Sequence, residues 1–160
     1  MKTRFALTGL LTSLVNLALH ALTYFLVLKQ FFEAHPAGTE DLRRQLVKDA
    51  DQMVLWSLAL SGLAFGYLIT TVVHWSGAKG WSSGLKTGAI VGTLLWAGVN
   101  FGLYASSNNF SLAGTLADGV RSALCVTVSS GFAAWLLHAL GGTRDAAQRP
   151  DVGAPAFRAG

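Results

Sequence analysis

The chain has 160 residues, of which 52% are apolar and only 12% charged, and its mean hydropathy is +0.46. Soluble globular domains carry about 25% charged residues, so this balance excludes an ordinary soluble domain and points to a chain dissolved in lipid. The net charge of +4 and the pI near 9.6 come without the basic and aromatic interleaving that binds nucleic acid.

Four apolar stretches, at about 5–32, 53–75, 87–106 and 112–140, reach the roughly 20 residues that a hydrocarbon core of about 30 Å requires. They predict an all-α protein, a four-helix transmembrane bundle over residues 1–142. A polar segment at 33–51 lies outside the membrane, and a flexible tail at 143–160 is rich in Ala, Gly, Pro and Arg.

The first stretch follows Met-Lys-Thr-Arg, as a signal peptide does, but the apolar part of a signal peptide runs only about 7 to 15 residues. Here it runs much further, so it reads as a retained span. Gly9, Ser13, Asn16, His20 and Thr23 recur at three- or four-residue spacing, which puts them on one helix face. Lipid cannot satisfy their amide and imidazole groups, so that face is expected to turn into the bundle.

In the polar segment, Thr39 followed by Glu40 and Asp41 looks like a helix start, and Leu42, Leu46 and Met53 mark an apolar side. The second and third spans carry Gly62 and Gly66, and Gly84, Gly88 and Gly92. Four-residue glycine spacing lets helix backbones approach closely, and we expect these two spans to pack together through it or to meet a second copy. Trp75 and Trp81 flank the short connection where interfacial aromatics belong. The third span also places Asn100 and Tyr104 one turn apart. A short turn at Ser106 to Ser111 then predicts a tight hairpin of spans three and four.

The fourth span holds Gly114, Asp118, Arg121, Cys125 and Ser129 on one stripe. Asp118 and Arg121 are the only opposite charges set within an apolar stretch, and charges there are functional by default. Asn16, His20, Asn100, Tyr104, Asp118 and Arg121 are the candidate polar cluster, in the outer half of the bundle. A plainer role competes with it. Thr115 and Asp118 fit a capping box, with Thr115 as N-cap, which would place the pair near the interface with Arg121 snorkelling to water.

Other chemistry finds little support. The chain has no clustered metal ligands, no Gly-x-Ser-x-Gly elbow and no phosphate loop, and Ser129-Ser130 lacks a base at fixed spacing. With one cysteine, Cys125, neither an intramolecular disulfide nor a redox pair can form. His74 and His138 close spans two and four on one side, as haem ligands must, but each lies near a tryptophan at the interface, where histidine is ordinary. No cofactor and no metal are expected.

Basic residues near span ends favour the cytoplasm. Lys2, Arg4, Lys79, Lys86, Arg144, Arg149 and Arg158 fall on one side, whereas Lys29, Arg43, Arg44 and Lys48 are matched by acids on the other. Both termini are therefore expected to be cytoplasmic.

The run from Gly84 to Gly92, then Asn100 to Tyr104, Asn108 to Leu112 and Asp118, resembles a loose group of small, uncharacterised bacterial four-span membrane proteins. The Phe31-Phe32-Glu33-Ala34 end of span one looks similar too. The resemblance implies a four-helix fold and a bacterial inner (cytoplasmic) membrane, and brings no activity with it; Arg121 is not part of its pattern. The reading that follows is a non-enzymatic accessory or scaffold subunit, or a binder of lipid or amphiphile. Its partners would be the bilayer and a membrane protein or second copy, with no nucleic acid. The alternative is a small transporter or channel with an outer polar vestibule.

Overall fold

The structure, a computed structural model, describes residues 2–36, 38, 39, 41, 48, 52–107 and 111–147. The helix expected after Thr39 falls outside these residues for most of its length. Helix α1 (Lys2–Thr23) passes through one π-helical turn (Tyr24–Leu28) into α2 (Lys29–Ala34), forming a single rod. Helices α3 (Leu55–Trp75), α4 (Trp81–Ser106) and α5 (Leu112–Ala147) follow, and no strand occurs among the described residues. All four rods are long and apolar enough to cross a membrane. Helix is the form that leaves no backbone group unpaired in hydrocarbon.

The ends follow local chemistry. The α2 helix closes with the His35 amide donating to the Phe31 carbonyl at 3.0 Å, just before Pro36, which has no N–H to continue the ladder. Between α3 and α4 the chain turns through Gly77 and Gly80, at φ +66° and +84°, where a Cβ would be strained. Helix α4 begins at Trp81, six residues before the expected 87, so Lys86 lies within the helix. Helix α5 continues to Ala147, through the first part of the expected tail. Its Ala-rich sequence favours helix, and hydropathy marks only where a helix leaves lipid.

The start of α5 corrects the capping expectation. The Gly114 amide donates to Ser111 Oγ at 3.1 Å, making Ser111 the cap, while Thr115 is already helical and its hydroxyl donates to the Ser111 carbonyl at 3.0 Å. Asp118 and Arg121 therefore sit well inside the helix and are not a helix-start device. Ser111 wins because it lies at the true exit from the turn, and Thr115 instead satisfies its hydroxyl on the preceding turn.

The bundle is apolar outside and small or polar inside. Thr8, Thr12, Ser13, Asn16, Thr70, Ser122, Ser129 and Ser130 are buried, whereas Leu14, Leu26, Leu60, Leu94 and Leu124 face outward. Without a hydrophobic drive between helices in lipid, close backbone approach and hydrogen bonds must hold them together. Ile69, Val73, Val126, Ala133 and Ala134 form a compact apolar core at the end nearer the termini. Helix α5 is the hub and packs against α1, α3 and α4.

The glycines have different partners from those expected. A Cβ on Gly66 would strike the Ser13 backbone of α1, and one on Gly9 would strike the Tyr67 ring of α3, whereas Gly62 faces Leu17. On α4, Gly84, Gly88 and Gly92 press against α5: a Cβ there would lie 2.5 Å from the Ser130 carbonyl, 2.8 Å from Thr127 Cα and 2.9 Å from the Ala123 carbonyl, respectively. Helices α3 and α4 meet only slightly. Glycine spacing says that a backbone can be approached, not by which helix. Small residues on α1 and α5 decided the pairing.

Candidate functional site

The one described ion pair inside the bundle, Asp118–Arg121, gathers a polar cluster around Arg121. Its Nη2 donates to Asp118 Oδ1 at 2.6 Å and to Ser122 Oγ at 3.0 Å. Its Nη1 faces three acceptors on the first rod: His20 Nδ1 at 3.1 Å, the His20 carbonyl at 3.2 Å and Thr23 Oγ1 at 3.3 Å. The Arg121 side chain is only 14% exposed, so it points inward and does not snorkel. Five acceptors within reach hold it there.

Guanidinium can only donate, so His20 Nδ1 must accept, which leaves the imidazole neutral with its proton on Nε2. That ring lies 5.9 Å from the Trp96 ring of α4, which in turn stacks on Phe65 of α3 at 5.8 Å. Asn100 completes the knot by donating from Nδ2 to Asp118 Oδ2 at 3.1 Å and to the Thr115 carbonyl at 3.2 Å. Asp118 and Arg121 cancel each other's charge. The knot ties α1, α4 and α5 together without net charge.

Of the six candidate residues, His20, Asn100, Asp118 and Arg121 are joined by these bonds. Asn16 lies about a turn nearer the N-terminus, where its Oδ1 accepts from Ser129 Oγ at 3.2 Å. Tyr104 is 42% exposed and takes no part in the bonds that hold the four. His74 packs edge-on against Phe5 at 5.8 Å, and His138 is exposed.

Beside the knot, a groove of about 720 Å³ runs between the first rod and α5. Leu19, Thr23, Val27, Leu28 and Phe31 form one wall; Ala113, Leu116, Ala117, Val120, Leu124, Cys125 and Val128 form the other, with Arg121 as the sole charged residue. Val27, Val120 and Leu124 are all at least 60% exposed, so the groove opens onto the apolar outer surface. The π-turn forms part of its wall, and Thr23, just before that turn, donates to the Leu19 carbonyl at 2.7 Å. Such wide turns recur at functional sites.

Sequence reasoning missed the groove, along with Ser122 and Trp96. Leu116, Val120, Leu124 and Val128 repeat at four-residue spacing, but this resembles any lipid-facing stripe. Ser122, adjoining Arg121, was the one local clue. Comparison with protein families, curated proteins and solved structures finds no match for this chain. The fold and site define a class: a membrane protein of four apolar helices with a neutralised polar knot beside an apolar groove.

Proposed function

We propose that this is a non-enzymatic membrane protein that binds the hydrocarbon chain of a lipid or amphiphile in the groove between the first rod and α5. The observation that carries the reading is the groove itself: its walls are apolar, it opens to the lipid-facing surface, and its volume falls within the roughly 300–1,000 Å³ of small-molecule sites. A cleft this apolar has no use for water. The neutralised Asp118–Arg121 pair supports binding more than transport, since both carboxylate oxygens are already engaged.

In this reading the protein sits in a bacterial cytoplasmic membrane with both termini in the cytoplasm and spans three and four as a tight hairpin. The distribution of basic residues supports that orientation. Leu124→Trp fills the groove from an exposed position, and Leu94→Trp, on the exposed face of α4, is its control. Native mass spectrometry of protein released from lipid particles should show bound lipid on the parent chain and on Leu94→Trp, and none on Leu124→Trp. The same lipid complement on both variants would sink the assignment.

A further inference from the structure

Among the described residues, no polar side chain lining the groove is left to an occupant. Thr23 Oγ1 donates to the Leu19 carbonyl and accepts from Arg121 Nη1, and Cys125 Sγ lies 3.6 Å from the same hydroxyl. The two terminal nitrogens of Arg121 are held by five acceptors, and its Nε is buried, out of an occupant's reach. A polar group carried into the groove would stay unpaired. The walls also meet at both ends. Towards the termini, Asn16 Oδ1 accepts from Ser129 Oγ at 3.2 Å, with both residues buried; at the far end, Ser111 Oγ donates to the His35 carbonyl at 3.3 Å. An occupant therefore enters from the side, where Val27, Val120 and Leu124 are exposed.

Resting on the reading of the groove as a lipid site, we infer that it holds one acyl chain, free of polar groups, of a phospholipid from the leaflet opposite the termini, with its ester end beside Phe31 and its methyl end beside Leu19. Length selects a single leaflet. Leu19 and Phe31 are twelve residues apart, about 18 Å at 1.5 Å per residue, close to the roughly 15 Å that one leaflet contributes to a hydrocarbon core. Position selects the direction. Phe31 is three residues from the end of the first rod, whereas Leu19 is seventeen residues from its start, about 26 Å away. A head group at the Leu19 end would be stranded in hydrocarbon with nothing to pair with it. At the other end it reaches the exposed His35, which stacks on Phe31 at 4.3 Å just before the helix stops.

The probes are two phosphatidylcholines, one with a diazirine near the ester end of an acyl chain and one with it near the methyl end. Each is mixed into lipid particles with the full chain, which is then moved into mild detergent to strip loosely held lipid, irradiated and mapped by mass spectrometry. The ester-end probe should mark Phe31, Ala113 and Leu116, and the methyl-end probe Leu19, Leu124 and Val128. Leu124→Trp overfills the groove and should lower both sets of marks about tenfold, whereas Leu94→Trp should not. Unlabelled distearoyl phosphatidylcholine should compete about tenfold better than the same lipid hydroxylated at the middle of its chains. The reverse order of marks, or both probes marking the two ends alike, overturns the direction and the leaflet. Equal competition overturns the exclusion of polar chains. Either result leaves the groove a hydrocarbon site. If Leu94 is marked as heavily as the groove, or no marks form and no lipid co-purifies, the underlying reading fails as well.

Discussion

Removing either member of the Asp118–Arg121 pair strands its partner, because the charge left behind faces a helix interface and not water. Breaking such a pair costs about 3 kcal/mol or more, while replacing both members costs far less. Asp118→Ala and Arg121→Ala should each lower the unfolding free energy in mixed micelles by about that amount, and the double variant should lose clearly less than the sum. Strict additivity would show that the two side chains do not stabilise each other. The charges were visible in the sequence, as were His20 and Asn100. Their common depth put them in one candidate cluster, but which of its members bond to one another was not legible, because hydropathy places residues by depth and says little about direction around the helix. Tyr104 shows the limit: one turn beyond Asn100, it still points outward.

At the scale of elements, glycines separate contact from mere spacing. A methyl group at Gly66 meets backbone atoms of Ser13, and one at Gly88 meets Thr127 Cα, so neither can be relieved by turning a side chain. Gly66→Ala and Gly88→Ala should each cost about 1–3 kcal/mol by forcing helices apart. Gly102 has nothing within 4 Å of its would-be Cβ. Gly102→Ala should therefore leave the thermal midpoint unchanged or raise it, as alanine favours helix by roughly 0.5–1 kcal/mol. Equal destabilisation by all three would refute the packing. The helix stretches were legible from composition, and so were the ends at Trp75 and Ser106 and the start at Leu112, but the cap of α5 and the start of α4 were not. Ser111 rather than Thr115 caps α5, and Trp81 begins α4, because hydrogen bonds set helix ends whereas apolar runs mark only the part that lipid would cover.

For the whole molecule, the basic residues make a prediction about orientation. In a Cys125→Ala background, Lys79→Cys, in the connection between α3 and α4, should resist a membrane-impermeant maleimide in intact cells. Asn108→Cys, between α4 and α5 in the sequence, should react. The reverse pattern would invert the proposed topology. The chain's own composition determined that it is a helical protein of four apolar spans, since too little charge and too much continuous hydropathy leave no soluble alternative. Only the tertiary structure decided that α5 is the hub, that α3 and α4 take separate partners, and that an apolar groove lies beside Arg121. The physical reason is that burial in lipid is satisfied by any arrangement of apolar helices. Which backbones touch, and where a donor is left without a partner, depends on the shapes of small residues brought together from distant parts of the chain.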